Sequence, residues 1–591
     1  MSNPKTISEY RPITLLNTDF KLFTKLIAAR IKTNLSDFYG VGQTCGVPNR
    51  NISHNLTVAR DCIQFFEAHP NKSAALVAID LERAFDRVNH HFLFQCLGRI
   101  GFPPKLLRVF RSMYGASYSK LLINGYFSKA MKVGQGVRQG CPLSMIFFTI
   151  VIESLIRALH ANLNGVKIRG AELVCRSYAD DLYVLLSDEG DFRSFYRLLD
   201  QFGQASGARV NKTKSSYMAL GSWSVDLSIS FRQVDQLKIL GVVFCKKAKE
   251  TCNVNWSKKS RNLRYHCSEQ LSRQLNLTQR VWHVNIYLLS QIWFLAKIIP
   301  PLKKDTQSIE KSIGFYIWKS YPCRVSRDQI RLSPKLGGLG LVDVAKKCKS
   351  LLIVSLNEIL SGCGDEWCVK YFEQFTKTTS VTFKEYPPHL LAHCIERDRF
   401  RMYHPSTLAS TRSVYQHLLD NPPFLPSIQL KYPNRAWNLT WGNWRKSRLP
   451  NEWKETLYLV MNEAIPTLEK WHRQGRSPSN TCPTCNTIDT LTHKLMTCSE
   501  IRPLWAWLQL IFTQNLQLPP GVLVKICNCR LDVKLDHEKR DMVVWLLAGF
   551  WHFIIHGSKE KTKLNLQVYY ESAGWQLLKT VPTLRGLWTK P

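Results

Sequence analysis

The chain reads as an α+β protein whose strands cluster in its first half and whose second half is helical. Two adjacent carboxylates stand in Ser177-Tyr178-Ala179-Asp180-Asp181-Leu182, between Leu173-Val174-Cys175 and the run Tyr183 to Leu186. That pattern suits a tight hairpin with its acids at the turn. A second apolar run, Ala74 to Ile79, ends on Asp80, as a buried strand does when it delivers a carboxylate rigidly at an edge. Elsewhere, and within the stretch Ser257 to Lys349, apolar residues recur at helical spacing, while residues from about 350 to 470 are mixed and uninformative.

Composition bounds what such a chain can do. At 591 residues there is room for about three or four domains. Hydrophobic residues make up 45% and aromatics 11%, which excludes a disordered chain. Lysines and arginines number 80 against 44 acids, a formal charge of +36 spread along the sequence, so a polyanionic partner is expected. No basic amphipathic segment is long enough to favour a membrane surface, and the run Met145 to Ile152 is too short to span a bilayer. The 18 cysteines are scattered and no apolar signal sequence opens the chain. Free thiols in a reducing intracellular compartment, cytoplasm or nucleus, are therefore expected.

In chain order, Phe20 to Leu35 predicts an amphipathic helix with Leu22, Leu26, Ala29 and Ile31 on one face. A loop, Gly42-Gln43-Thr44-Cys45 to Arg50, precedes a helix over Ile52 to Glu67; Arg50 could touch a phosphate or cap that helix. Gly134 to Ser144 holds three glycines that let backbone approach a ligand, and an apolar helix with Phe147, Ile150, Val151, Ser154 and Leu155 follows. Asp191 to Ser206 is helical, and Leu237 to Val242 reads as a further hairpin. From Ser257 to Lys349 there are 18 basic residues against 5 acids. Within it, Val281, Leu288, Ile292, Leu295 and Ile299 mark one helix face. Trp282, Ile286, Leu289 and Trp293 mark a second, so that helix is expected to pack on both sides. Leu336-Gly337-Gly338-Leu339-Gly340-Leu341 is no phosphate loop, because no Lys-Ser/Thr follows. Cys482 and Cys485 on a tight turn, with His493 and Cys498 about one helical turn apart, suit a tetrahedral zinc ion.

Tyr178-Ala179-Asp180-Asp181, taken with the order of the surrounding blocks, resembles the reverse transcriptases of non-LTR (LINE-type) retrotransposons. The resemblance covers roughly residues 4 to 345 and implies a right-hand polymerase fold of fingers, palm with antiparallel sheet and helical thumb. The implied divisions are 1–250 fingers and palm, 251–350 thumb, 351–470 helical connecting region, and 471–591 a C-terminal region with the zinc module. Matching block by block, Asp80, Asp180 and Asp181 are the implied Mg²⁺ ligands for two ions. Arg11, in Tyr10-Arg11-Pro12-Ile13, is the residue implied to reach the incoming triphosphate. Phe85 matches the aromatic gate under the sugar, with core packing as the alternative, while Asp86 is the extra acid expected to be structural. Gln139 and Gly140 match a nucleotide- and template-positioning turn. Lys214, or else Lys212, matches the lysine that protonates the leaving pyrophosphate. The 237–242 hairpin matches the primer grip.

Cys482, Cys485, His493 and Cys498 resemble the Cys-Cys-His-Cys motif downstream of LINE reverse transcriptases, implying one structural Zn²⁺. Cys527, Cys529, Cys363 and Cys368 lack partners at ligand spacing and read as plain thiols. Implied partners are an RNA template, a DNA primer and target DNA, and dNTPs. Family members carry more chain ahead of the Tyr-Arg-Pro-Ile block, including in many an endonuclease, so the chain is expected to be shortened at its start. Alternatives are a group II intron maturase-like protein, a telomerase-type catalyst, and a catalytically inactive RNA-binding relic of a transposon.

Overall fold

The computed structural model describes residues 13–35, 37–115, 117–168, 170–228, 230–320, 323–358, 366–367, 370, 410–420, 426–527 and 530–557. The chain divides into two compact units. One comprises Met1–Lys258, Phe294–Leu302 and Cys348–Val414; the other Lys259–Trp293, Lys303–Lys347 and Tyr415–Pro591.

The first unit is built around β1 (Ser73–Ile79), the central strand of five. Its antiparallel neighbours are β3 (Asp181–Leu186) and β4 (Ser216–Gly221). Beyond them lie β2 (Cys175–Tyr178), antiparallel to β3, and β5 (Arg232–Gln233), parallel to β4. Ala74 to Val77 are fully buried in succession, which requires cover on both faces of the sheet. Alternation sorts the two sides. Ala75, Val77, Ile79, Leu182, Val184 and Leu186 share a core with the helix Ser144–Asn162. On the opposite face Tyr183 donates its hydroxyl to the Asn55 carbonyl at 2.7 Å, in the helix Ile52–Ala68. The run read as too short to span a bilayer thus lies in a 19-residue helix apolar enough to do so by composition. Phe147, Ile150, Val151 and Leu155 on it are at most 2% exposed within the unit.

The helix Thr18–Asn34 forms where expected but presents another face. Thr24 and Ile31 are buried, and Phe20, Ile27 and Ala28 pack on the core, whereas Leu22 and Leu26 are 60% and 58% exposed. Threonine wins the buried position because its hydroxyl bonds the Phe20 carbonyl at 2.8 Å, so burial leaves no polar group unpaired. The hairpin expected at 237–242 comprises Gln236–Ile239 and Val242–Cys245, turning on Leu240 and Gly241, both at positive φ.

The described part of the second unit is predominantly helical. The stretch expected to be one doubly packed helix, whose residues from Phe294 on belong to the first unit, is Leu277–His283, then a π-helical turn Val284–Leu288, then Ser290–Ile298. Leu289 is buried, but Trp282 and Ile286 are 59% and 61% exposed, so the second apolar face is not covered as expected. The wider turn adds a residue and rotates the two halves of the pattern relative to each other. In the glycine block the Gly337 carbonyl accepts from the Tyr458 hydroxyl and Gln329 Nε2, both at 3.0 Å. That role is packing.

Candidate active site and metal centre

The acidic hairpin folds as its sequence demands. Tyr178 pairs with Asp181, leaving Ala179 and Asp180 to turn the chain. Ala179 takes φ +54, a left-handed conformation that costs an alanine. The Ser177 hydroxyl braces the turn by donating to the Ala179 carbonyl at 2.9 Å. Because Ile79 pairs with Leu182, Asp80 continues β1 to the level of Asp181. Residues a hundred positions apart thereby place three carboxylates at one end of the two central strands. Asp80 is fixed through its backbone: its amide donates to Ser215 Oγ at 3.1 Å, and its carbonyl accepts from the Asn211 amide at 2.8 Å.

Those bonds bring the Gly207–Ser215 segment alongside. Lys212 and Lys214 on it are both exposed, so the structure brings the loop to Asp80 without docking either ammonium there. Phe85 follows in the short helix Ala84–Arg87, half-buried, its ring stacked on Phe148 at 4.4 Å and 21°. Asp86 accepts from Gln139 Nε2 at 3.2 Å, the structural use expected of it. The 134–144 loop lies on this helix. Gly136 sits at φ +87, and a Cβ there would stand 2.7 Å from the Asp86 carbonyl oxygen, so only glycine fits. The Gln139 carbonyl accepts from the Thr14 amide at 3.1 Å, and a Cβ on Gly140 would lie 3.0 Å from the Thr14 carbonyl oxygen. Arg11 lies outside the described residues.

Arg50 is neither a free phosphate ligand nor a helix cap. Its guanidinium donates to the carbonyls of Tyr39 (3.2 Å), Gln43 (2.8 Å) and Gly40, and Asn51 caps the helix by accepting from the Ser53 amide. The loop it gathers runs beside β2. There the Ser177 amide donates to the Gly42 carbonyl at 2.8 Å and the Thr44 amide to the Ser177 carbonyl at 3.1 Å. Glu153 completes the arrangement by accepting from the Gly40 amide at 2.9 Å. Burial holds the Glu153 carboxyl above the usual range, against the pull of that bond and of Arg157. Cys45 lies in the same loop, and burial together with the nearby Asp180 charge pushes its thiol up. Arg50, Glu153 and Ser215 support the site, and no motif marks Glu153, whose partner Gly40 is distant in sequence.

The second site is local. The Cys482 amide donates to the Thr487 carbonyl at 2.8 Å, and Asn486 at φ +54 closes the turn. His493–Thr497 is a π-helical turn, and the Cys498 amide donates to the His493 carbonyl at 3.0 Å. A five-residue step suits that wider turn and brings both side chains to one side, refining the ordinary helical turn expected. The four ligand atoms lie within 4.8 Å of one another. Cys482 and Cys498 sulfurs are 3.9 Å apart, and Cys485 Sγ is 3.3 Å from His493 Nε2. Zinc–sulfur bonds of ~2.3 Å put two thiolates roughly 3.8 Å apart in a tetrahedron, so the donor set fits zinc. Thr487 Oγ1, 3.0 Å from His493 Nδ1, leaves Nε2 facing the sulfurs, a supporting contact that ligand spacing does not reveal. Hydrogen bonding, first from the Thr487 hydroxyl, pulls the Cys485 thiol down to about 6, while burial pushes Cys498 up to about 11. Cys363, Cys368 and Cys529 lie outside the described residues.

Residues 3–244 match the family described as reverse transcriptase (RNA-dependent DNA polymerase). A transposon TX1 149 kDa protein of Xenopus laevis is 28% identical over 374 residues, 62% of this chain and 28% of that protein. The Pol polyprotein of the type-2 retrotransposable element R2DM of Drosophila melanogaster is 23% identical over 360 residues, 57% of this chain and 33% of that one. The RNA-directed DNA polymerase from the Drosophila mobile element jockey is 26% identical over 225 residues, 36% of this chain and 23% of that protein. The chain thus spans a third or less of these relatives' lengths. Telomerase from Candida albicans, solved with a fragment of telomeric RNA, aligns over 61% of this chain and 55% of its own at 11% identity, with a TM-score of 0.30. Residues 3–244, under half of the chain, are thus similar to the reverse transcriptase family, and the relatives named belong to transposable elements.

Proposed function

We propose that the chain is an RNA-directed DNA polymerase of a LINE-type retrotransposon, extending a DNA primer from dNTPs on an RNA template. The observation that carries this reading is the register placing Asp80 level with Asp181, beside the Asp180 turn. On it, the five-stranded sheet is the palm of a right-hand polymerase, residues 251–350 the thumb, and 471–591 a zinc-bearing C-terminal region. Asp80 and Asp180, with Asp181 in support, would hold the family's divalent ions, which would supply activation of the primer 3′-hydroxyl and neutralisation of the leaving pyrophosphate. Phe85, backed by Phe148, excludes a 2′-hydroxyl by volume. Gln139 and Gly140 position the nucleotide, with Arg11 adding charge beside the triphosphate. Lys214 delivers the proton to pyrophosphate, and the basic surface tracks the duplex backbone without reading sequence.

Primer extension by the purified chain on a primed RNA, with dNTPs and Mg²⁺, tests this. Incorporation that depends on template and disappears in Asp180→Asn supports it. Template binding by a folded wild-type chain with no incorporation, in Mg²⁺ or Mn²⁺, overturns it in favour of an RNA-binding relic.

A further inference from the structure

Within the second unit, apart from both sites above, lies a cleft of about 1130 Å³. Part of its lining is the helix Leu468–Arg473 and the turn after it, which contribute Trp471, Arg473 and Arg476. Lys319 and Arg324 line it as well. Trp471 is 42% exposed, a large aromatic surface left open among cations. Lys319, exposed at φ +53, holds a backbone conformation that is costly for a lysine. The cleft has acids too, but two of its three glutamates are engaged. Glu455 pairs with Arg280 and lies 3.9 Å from Arg324. Glu463 is held by Lys431 at 2.7 Å and the Tyr432 hydroxyl at 2.6 Å. Arg473 is paired with Glu469 at 2.7 Å, so Lys319 and Arg476 set against Glu452 leave the balance positive.

The wall bearing Trp471 is rigidly hung. The Leu468 amide donates to Asp489 Oδ2 at 2.7 Å, and Lys494 Nζ donates to the Pro466 carbonyl at 3.1 Å. Both Asp489 and Lys494 belong to the Cys/His knuckle, so that module fixes where the tryptophan and its arginines stand.

We infer that this cleft is a separate binding site for single-stranded nucleic acid. Lys319 and Arg476 meet the phosphates, and Trp471 stacks a base. An open aromatic face among exposed cations is what an unpaired strand uses, because a duplex hides its base faces. The site goes beyond the proposed polymerisation and does not depend on it.

The test uses the full chain and a 12-nucleotide oligouridylate carrying one 5-iodouridine. The strand is photo-crosslinked over a range of concentrations and salt, and adducts are mapped by mass spectrometry. The expected result is an adduct on Trp471. Its midpoint should rise about tenfold in Lys319→Glu/Arg476→Glu, and its log–log salt slope should shrink by ~1.4, two phosphates at ~0.7 each. Unchanged melting and unchanged adducts elsewhere verify that the variant is folded, both substitutions being at exposed positions. Trp471→Phe should keep the adduct position and Trp471→Ala abolish it. The proposal is overturned if no adduct falls on residues 471–476, if charge reversal leaves the midpoint where it was, or if polyglutamate displaces the strand as well as unlabelled RNA does, which would mark a protein-binding cleft. Loss of primer extension is not read in this assay, so failure of the polymerase reading leaves its result untouched.

Discussion

The acidic hairpin and the Cys/His knuckle are both turns that offer metal ligands, yet they are assembled in opposite ways. The knuckle draws all four ligands from Cys482 to Cys498, and their donor atoms already converge within 4.8 Å. The hairpin contributes Asp180 and Asp181 but needs Asp80, delivered by another strand through the pairing of Ile79 with Leu182. Among the described residues the Cys/His set is the one group of three or more such side chains drawn this closely together. The difference is electrostatic. A mixed set of thiols and an imidazole repels itself less than adjacent carboxylates do, and those repel unless a cation lies between them. A site of the first kind organises its own chain segment. One of the second kind must be held open by the fold around it.

The largest effect expected from this contrast is at the carboxylates. Asp80→Asn or Asp180→Asn should lower Mg²⁺-dependent dNTP incorporation by ~10³-fold or more, the several kcal/mol a bound metal contributes to charge stabilisation. Template affinity by anisotropy should be retained, since phosphate contacts carry it. Either variant extending primers at the wild-type rate would remove that aspartate from the site.

Zinc removal should act differently, on structure before chemistry. One Zn²⁺ per chain is expected by elemental analysis after purification without chelator. Cys485→Ser should release it and expose the 468–498 segment to protease, because metal binding there is folding free energy. A zinc-free wild-type protein with the same protease resistance would refute the assignment.

At the sugar, Phe85→Val should admit ribonucleotides with a change in rNTP:dNTP discrimination on the order of 10²-fold. The lost stack on Phe148 should also lower the melting temperature. A parallel fall in both rates with no change in ratio would reduce Phe85 to packing.

Smaller effects probe the scaffold that holds the hairpin. Arg50→Ala removes a guanidinium from three carbonyls and should cost about 2–4 kcal/mol in chemical denaturation. Amide exchange should rise at Thr44 and Ser177, whose bonds join the loop to β2, with Arg50→Lys intermediate. Unchanged protection there would separate Arg50 from the hairpin. Glu153→Gln keeps an acceptor for the Gly40 amide and removes a buried charge. Because the folded-state pKa of Glu153 is raised by burial, its ionisation weakens the fold as pH climbs through the carboxylate range. The variant should therefore melt higher than wild type at neutral pH, and the gap should close on acidification. A gap constant with pH would mean the charge is not what Glu153 contributes.

How much of this was readable beforehand follows the same division. The knuckle ligands, the hairpin turn and the strand ending on Asp80 are local patterns, and each stands where its spacing predicts. Their boundaries, such as Glu189–Ser206 for the helix expected at 191–206, differ by a residue or two. The misread features are those where helical spacing alone left more than one face to choose from. Leu22 and Leu26 lost the core to Thr24, and Trp282 and Ile286 stayed exposed where the π-helical turn shifted the periodicity. Arg50 was spent on loop carbonyls that a linear reading cannot place beside it.

By itself the sequence named the residues that the structure brings together at both candidate sites. Period-2 apolar runs, turn residues and close ligand spacing act over a few residues, where backbone geometry leaves little choice. Only the tertiary structure decided that Asp80 meets the hairpin, that Ser215 and Arg50 brace it, and that the knuckle carries Trp471 to a basic cleft. Those pairings bridge separations from a few residues to more than a hundred. They are chosen by which hydrophobic faces can be buried together and which polar groups can then be satisfied, neither of which is written in any single stretch of chain.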